Sequence, residues 1–166
     1  MASHVPTSVQ PSYHWKRNHP WNEFIQENPK FASINRDQIP LLAAQLCTGR
    51  SCVLSSKFTY GTSNAVFEIL FDDGVVWICR VHQNDEPNYI KKMIESTVAT
   101  MRYVKRNTTI PVPSIHAYES DSTATKIGSA FILMDGVSGV HARTQDIPNR
   151  QKYFQMADVA MQLATK

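Results

Sequence analysis

Two features near the middle of the chain have residue types that suit contact with a phosphate group. One is the turn Gly61-Thr62-Ser63-Asn64, which separates two apolar runs, and the other is Arg80, at the end of a nearly all-apolar run. A partly buried guanidinium needs an anionic partner, and a phosphate carried by a ligand is one. The alternative is that the turn is only a turn and that Arg80 extends its charged end into water. The residues by themselves leave both interpretations open.

Short apolar runs separated by turn residues predict the β-strands that position these residues. Asp72-Asp73-Gly74 lies between two such runs and is typical of a hairpin. In the run after it, alternation places Val76, Ile78 and Arg80 on one face of the strand. The predicted strands are Cys52–Tyr60, Asn64–Phe71, Val75–Val81, Ile115–Glu119 and Ala130–Met134.

Helical signals occupy the stretches between and around the strands. A short helix is predicted from Pro20, a second over Ser33–Thr48 with Pro40 in its first turn, and a last one over Asn149–Thr165. Tyr89–Asn107 carries an apolar stripe at helical spacing and predicts a long helix. The order of elements favours an α+β fold, in which a five-stranded antiparallel sheet packs against one long helix.

Composition limits the class of protein. The 166 residues are 42% hydrophobic and 19% charged, which is typical of a globular domain with a real core. The net charge of +3 is small and the basic residues are dispersed, so nucleic acid is not expected as a partner. No stretch approaches the length of an apolar membrane span, so a membrane is not expected either. Residues 1–19 are polar, lack an apolar segment and predict a disordered arm, which makes a cytoplasmic protein the default. Cys47 and Cys52 could pair, although buried free thiols are the preferred interpretation for all three cysteines.

Several segments together resemble a known family. They are GTSNAVFEI, VWICRV, ESTVATMRYVKRNTTIPVPSIHAYESD, IGSAFILMDGVSG and QMADVAMQLA, in that order. They look like the aminoglycoside phosphotransferases, a family with a protein-kinase-like fold, and in particular like its fungal-type relatives of undefined substrate. The resemblance runs from about Leu41 to the C-terminus.

The resemblance implies a domain organisation and a reaction. Residues 20–134 would form a kinase-like N-terminal lobe, 135–148 a hinge, and 149–166 the start of a C-terminal lobe. The family transfers the γ-phosphoryl group of ATP to a hydroxyl of a small molecule with the help of Mg²⁺. ATP and Mg²⁺ are therefore the implied cofactors, and the acceptor stays unknown.

The resemblance also implies a set of nucleotide-binding residues. The turn formed by Gly61, Thr62, Ser63 and Asn64 would lie over the ATP phosphates. Arg80 occupies the position of the strand-three cation that pairs with the α- and β-phosphates. The adenine ring would be covered by Val66, bordered by Met134 and read by the backbone of Asp135 and Val137.

Two departures from the family pattern bear on activity. Relatives usually carry a glutamate in the long helix that holds the strand-three cation, whereas this chain has Thr97, near the centre of the apolar stripe. Glu95 lies about 130° from the centre of that stripe and is expected to face solvent. No H-x-D-x-x-x-x-N motif occurs before the last residue, Lys166, so no catalytic or metal-binding residue is assigned. The expectation is a lobe that is inactive by itself.

Three hypotheses follow. The first is the nucleotide-binding part of a small-molecule phosphotransferase, and the second is a non-catalytic module that binds nucleotide or protein, which the Thr97 departure favours. The third, a nucleic-acid-binding α+β domain, is motivated only by the isoelectric point near 8.8. Steep salt dependence of oligonucleotide binding would support the third.

Overall fold

The computed structural model describes residues 20–83 and 86–137. The predicted arm 1–19, hinge residues 138–148 and final helix Asn149–Thr165 lie outside this part of the chain. The helices are α1 (Trp21–Glu27), α2 (Gln38–Leu46) and α3 (Pro87–Asn107), with short 3-10 helices at Pro29–Phe31 and Ser122–Ala124. The strands are β1 (Cys52–Tyr60), β2 (Asn64–Phe71), β3 (Val76–His82), β4 (Ile115–Glu119) and β5 (Phe131–Asp135).

The five strands form one antiparallel sheet in the order β1-β2-β3-β5-β4. The predicted α+β class with a five-stranded antiparallel sheet is confirmed. Gly74, at φ +87°, makes the left-handed corner of the β2–β3 hairpin, as the Asp-Gly pair predicts. Val75 belongs to this turn rather than to β3, because its N–H is bonded to the Asp73 carboxylate at 3.1 Å.

Helix α2 begins five residues later than the predicted start at Ser33. The reason is a contact that is distant in sequence. The N–H of Asn35 donates to the carbonyl of Ile127 at 2.8 Å, which ties this segment to the loop between β4 and β5. An N–H used in this way is unavailable to a helix, and α2 therefore starts at Gln38.

One face of the sheet is covered by the N-terminal helices. Trp77, Cys79 and Val81 of β3 point to this face, together with alternate residues of the neighbouring strands. The helices contribute Phe24 and Phe31, which are fully buried, and each such side chain contributes about 1.5–3 kcal/mol. The side of β3 that carries Trp77, Cys79 and Val81 is therefore buried by this aromatic layer.

The opposite face of the sheet carries α3. Ile90, Ile94 and Val98 of α3 pack against Ile132 of β5 and against Ala130, the residue before that strand. The long helix thus covers the part of this face that β5 forms. Arg80 of β3 lies on the same face. The term "α3 face" is used below for this side of the sheet.

Candidate functional site

The glycine turn joins β1 to β2 and is held from two sides. The N–H of Gly61 donates to the carbonyl of Asn64 at 2.9 Å and closes the turn. Lys30 Nζ donates to the Thr62 carbonyl at 2.7 Å, and the Gln83 N–H donates to the Ser63 carbonyl at 3.0 Å. Because the Gly61 N–H is used within the turn, the backbone donors left for a phosphate are those of Thr62 and Ser63. These residues and Gly61 are exposed.

The space beside Gly61 is open. A Cβ built on this glycine would meet no atom within 4 Å, and its φ is not positive. The fold itself therefore does not require glycine at this position. A close approach of the backbone to a ligand is a physical reason for glycine where packing gives none.

Strand register brings three of the predicted residues onto one side of the sheet. Val66 of β2 lies directly opposite Arg80 of β3, and Arg80 lies directly opposite Ile132 of β5. Residues that face each other in antiparallel strands project on the same side, so this row belongs to the α3 face. Met134, two residues beyond Ile132, projects to the same face and packs against the α3 cluster.

Arg80 is half-buried and electrostatically unfavourable where it lies. Burial lowers the pKa of its guanidinium below the ordinary value. A close carboxylate would act in the opposite direction, so desolvation outweighs whatever attraction the neighbours of Arg80 offer. A half-buried cation in this situation is suited to an anionic ligand.

Two further polar residues lie on the same face and were missed from the sequence. Glu68 follows Val66 on the same side of β2 and is fully buried, and His82 follows Arg80 on β3 and is 2% exposed. Burial, and secondly the charge of Arg80, lower the pKa of His82 to about 4. The signal that was available is a charged residue between Phe67 and Ile69, together with the two-residue spacing of Arg80 and His82.

Helix α3 offers no carboxylate from the position that the family resemblance would assign to one. The Thr97 hydroxyl donates to the Met93 carbonyl at 2.8 Å, one turn earlier in its own helix. Glu95 is exposed, which confirms the prediction that it faces solvent, and it accepts a hydrogen bond from the Ser120 hydroxyl at 3.2 Å. Neither residue is bonded to Arg80.

Asp135 directs its side chain away from Arg80. It lies opposite Trp77, whose side chain is in the core of the other face, and it accepts hydrogen bonds from the Ser114 N–H at 2.8 Å and His116 Nε2 at 2.7 Å. The His116 ring stacks on Trp77 with centroids 3.7 Å apart. Burial opposes ionisation of Asp135, but the hydrogen bonds from Ser114 and His116 outweigh it and lower its pKa. Only the backbone of Asp135 is left for an adenine contact.

The last predicted site residue, Val137, is 48% exposed at the end of the described chain. The residue before it is fixed to the sheet, because the Gly136 N–H donates to the Val76 carbonyl at 2.8 Å. A Cβ on Gly136 would lie 2.9 Å from that carbonyl, so glycine permits this close approach. The chain therefore leaves β5 in a fixed direction before Val137.

A second concave region lies on the opposite side of the sheet. This groove, between α2 and β4, has a volume of about 700 Å³ and is lined mainly by apolar side chains such as Leu41, Leu42, Ala117 and Phe131. None of the predicted site residues lines it. Its chemistry is unlike that of the Arg80 region, which combines a cation with buried polar groups.

Metal-ligating side chains are not gathered in the part of the chain that the structure describes. No group of three or more His, Cys, Asp or Glu residues there could hold a metal ion. Cys47, Cys52 and Cys79 are free thiols, and burial raises the pKa of Cys79 strongly. Within the same residues, no helix has both the length and the apolar character needed to cross a bilayer.

Comparison with known proteins gives no relative: no family model, no curated protein and no solved structure matches this chain. Function is therefore inferred from the geometry around Arg80.

Proposed function

We propose that this chain is the N-terminal, nucleotide-binding part of an ATP-dependent small-molecule phosphotransferase with a kinase-like lobe, similar to the aminoglycoside phosphotransferases. The observation that supports it is the row Val66–Arg80–Ile132 with Met134 beside it on the α3 face. The partly exposed Val66 and Met134 offer an apolar surface for the base, and Arg80 offers a charge for the phosphates.

The glycine turn adds to this proposal. It precedes β2 directly, so Asn64 at its end lies only two residues from Val66 and opposite His82, near Arg80. Phosphates bound by Arg80 would lie close to the exposed N–H groups of Thr62 and Ser63, and such groups bind anions. Mg²⁺ would enter with the nucleotide, held by its phosphate oxygens. A cytoplasmic location with a supply of ATP belongs to the same proposal.

A second candidate function is a module that binds nucleotide or protein without catalysis. The observation that favours it is the hydrogen bond of Thr97 to Met93, because α3 then presents no carboxylate to fix Arg80 for catalysis. Nucleotide binding without transfer is expected of both candidates. Binding of a protein but not of nucleotide would favour the module and would overturn the first proposal.

The test of nucleotide binding is calorimetry with Mg-ATP on the wild type and on Arg80→Met. We expect weak binding, because the resemblance implies that the second lobe supplies half of the adenine cleft, and at least a tenfold loss in the variant. Arg50→Met is the matched control: this arginine pairs with Asp73 at 3.1 Å, at the hairpin end of the sheet. Equal affinity in the two variants, or no heat at millimolar ATP, would overturn the proposal.

The test of catalysis uses radiolabelled ATP with a panel of hydroxyl-bearing acceptors. We expect this chain by itself to transfer no phosphate, because phosphoryl transfer depends on positioning and on metal-borne charge neutralisation, and no residue for either is assigned. Transfer by the wild type above the level of Arg80→Met would contradict this expectation and would favour an active enzyme.

A further inference from the structure

The two middle carbonyls of the glycine turn are held by donors from distant parts of the chain. Lys30 Nζ donates to the Thr62 carbonyl at 2.7 Å, across 32 positions of sequence, and the Gln83 N–H donates to the Ser63 carbonyl at 3.0 Å. Lys30 lies in the 3-10 helix Pro29–Phe31, outside the sheet, so its bond is not part of the strand ladder. The N-terminal segment is therefore tied directly to the turn.

The backbone of Lys30 is anchored on both sides. Pro29 restricts the backbone before it, and Phe31 after it is fully buried. The Phe31 ring packs on Tyr60, the residue before Gly61, with ring centroids 6.3 Å apart. Lys30 Nζ also lies over the Phe31 ring, 5.1 Å from its centroid. An aromatic anchor thus places the ammonium group beside the turn.

A bond to a carbonyl also sets the direction of the next N–H group. The described peptide bonds are all trans, so the Thr62 carbonyl and the Ser63 N–H, which belong to one planar peptide group, point in opposite directions. Lys30 comes from the segment that covers the sheet face opposite to Arg80. The Ser63 N–H is therefore directed away from that segment, to the side of the sheet on which Arg80 lies.

The same bond makes the Ser63 N–H a stronger donor. A hydrogen bond accepted by a carbonyl polarises its peptide group, and a charged donor does so more than a neutral one. Among the described residues none accepts the Ser63 N–H, and Ser63 is exposed. A donor that is oriented, polarised and unused is suited to a phosphate oxygen.

We propose that Lys30 is a positioning residue of the phosphate site: it holds the Thr62 carbonyl so that the Ser63 N–H is presented to a phosphate oxygen of a ligand bound by Arg80. The proposal rests on the proposed nucleotide site and deepens it. It makes the N-terminal segment Pro29–Phe31 a part of that site.

The spacing of the two contacts indicates the class of ligand. Val66, which lies opposite Arg80, is three residues beyond Ser63. At 3.3 Å per residue of strand, the two backbones are up to about 10 Å apart. A chain of linked phosphates can occupy such a span and use both contacts. The site therefore prefers ligands with two or more linked phosphates over a single phosphate.

The expected effect is modest because Lys30 is exposed. Interactions of exposed charges correspond to about two- to fivefold in an equilibrium constant, and Lys30→Met should weaken binding of linked phosphates by this factor. Met keeps the apolar stem over the Phe31 ring and removes the donor. Lys30→Arg keeps both the charge and the donor and should retain the affinity.

The matched control is Lys105→Met. Lys105 is also an exposed lysine that donates to a backbone carbonyl, that of Val112 at 3.1 Å, and it reaches the Ser114 hydroxyl at 2.6 Å. Ser114 is bonded to Asp135, which lies opposite Trp77 at the end of β3 remote from the glycine turn. Lys105→Met therefore removes the same kind of bond without touching the turn.

The experiment is calorimetry with inorganic tripolyphosphate and with Mg-ATP on the wild type and these three variants. We expect Lys30→Met to lose the same factor for both ligands, and Lys30→Arg and Lys105→Met to bind as the wild type does. Repeating the measurement in about 0.5 M sodium chloride separates positioning from attraction at a distance, because salt screens the second. The ratio between the wild type and Lys30→Met should persist. Orthophosphate should compete with tripolyphosphate equally well in both.

NMR of the ligand-free protein reports the turn itself. Loss of the bond to the Thr62 carbonyl should move the backbone amide signal of Ser63 in Lys30→Met and leave it in place in Lys105→Met. Lys30→Arg should restore the signal. Urea denaturation should give the two Met variants the same midpoint, which shows that a loss of affinity is not a loss of folding.

Each part of the proposal can be overturned separately. If Lys30→Met and Lys105→Met bind tripolyphosphate equally while Arg80→Met does not bind it, the inference is wrong and the phosphate site stands. If the difference vanishes in high salt, or the Ser63 signal does not move, Lys30 acts only as a charge and the positioning role is wrong. If orthophosphate competes less well in Lys30→Met, the preference for linked phosphates is wrong. If the wild type gives no heat with tripolyphosphate, the proposed function and the inference are both wrong.

Discussion

Replacing Arg80 by Met should make the protein more stable and at the same time less responsive to ATP. The guanidinium is half-buried, and desolvation lowers its pKa, so its charge opposes folding at every pH below the value of a free arginine. Met keeps the unbranched apolar stem that packs beside Val66 and Ile132 and removes the charge. The change therefore removes a cost and retains the packing.

The magnitude is modest because the group is only half-buried. Replacement of a fully buried ion by an apolar residue is neutral or stabilising by 1–4 kcal/mol, and solvent screening reduces this to about 0.5–1 kcal/mol here. For a domain of this size that corresponds to roughly 2–4 °C in Tm. ATP acts in the other direction: at a hundred times the wild-type Kd, ligand binding stabilises the wild type by about 2.7 kcal/mol, and a variant with tenfold weaker affinity by only about 1.4 kcal/mol.

The two effects predict that the order of stability reverses. Urea denaturation without nucleotide should rank Arg80→Met above the wild type, and the same assay with Mg-ATP should rank it below. Arg50→Met should follow the wild type in both. Two results would refute the reasoning: a variant destabilised by more than 1 kcal/mol without ligand, which would show that Arg80 is paired in the fold, or an equal gain from ATP in both proteins.

Three other predictions test neighbouring parts of the structure. Gly61→Ala should change the free energy of unfolding by less than about 0.5 kcal/mol but weaken ATP binding. Gly74→Ala is the control: at φ +87° it should lower the free energy of unfolding by roughly 1–2 kcal/mol. Equal losses of stability in the two variants would show that the turn at Gly61 is strained. Asp135→Asn should cost about 1 kcal/mol at pH 7 in urea denaturation. Because the pKa of Asp135 is lower in the folded protein than its ordinary value of 3.8, this deficit should shrink as the pH falls below 3.8, and a constant deficit would count against the bonds to Ser114 and His116. Thr97→Glu should supply a carboxylate to Arg80. In a double-mutant cycle with Arg80→Met, the coupling free energy between the two changes should be on the order of 1 kcal/mol. If the two changes have additive effects on the free energy of unfolding, the two positions do not face each other.

The strands could be predicted from the sequence because their signals are local. β-Branched and aromatic runs, a two-residue alternation and an Asp-Gly turn are properties of neighbouring residues, and every predicted strand boundary lies within one residue of the observed one. The start of α2 could not be predicted from the sequence, because it depends on the hydrogen bond between Asn35 and Ile127, which are 92 positions apart (127 − 35).

The candidate site also has features that could be predicted from neighbouring residues and features that could not. The pairing of Val66 with Arg80 follows from a tight hairpin, because the length of the turn fixes the register of the strands beside it. Burial of Glu68 and His82 depends on what covers the sheet, and a single strand does not show this. The hydrogen bonds of the Asp135 side chain to Ser114 and His116 form only because β4 pairs with the edge of β5 that is not paired with β3.

The order of the elements along the chain has a consequence for synthesis. Residues 20–46, which supply the aromatic cover of one sheet face, leave the ribosome before the five described strands do. The apolar sides of β1, β2 and β3 therefore meet a partner that is already made. The meander of these three strands can close as it emerges. The strand that pairs with the other edge of β3 is the last of the described strands to appear: Leu133 reaches Cys79 only after 54 further residues have been added (133 − 79). Until then β3 is an open edge, so a chain that is arrested after β3 has emerged and before β5 has emerged is able to pair with other nascent chains.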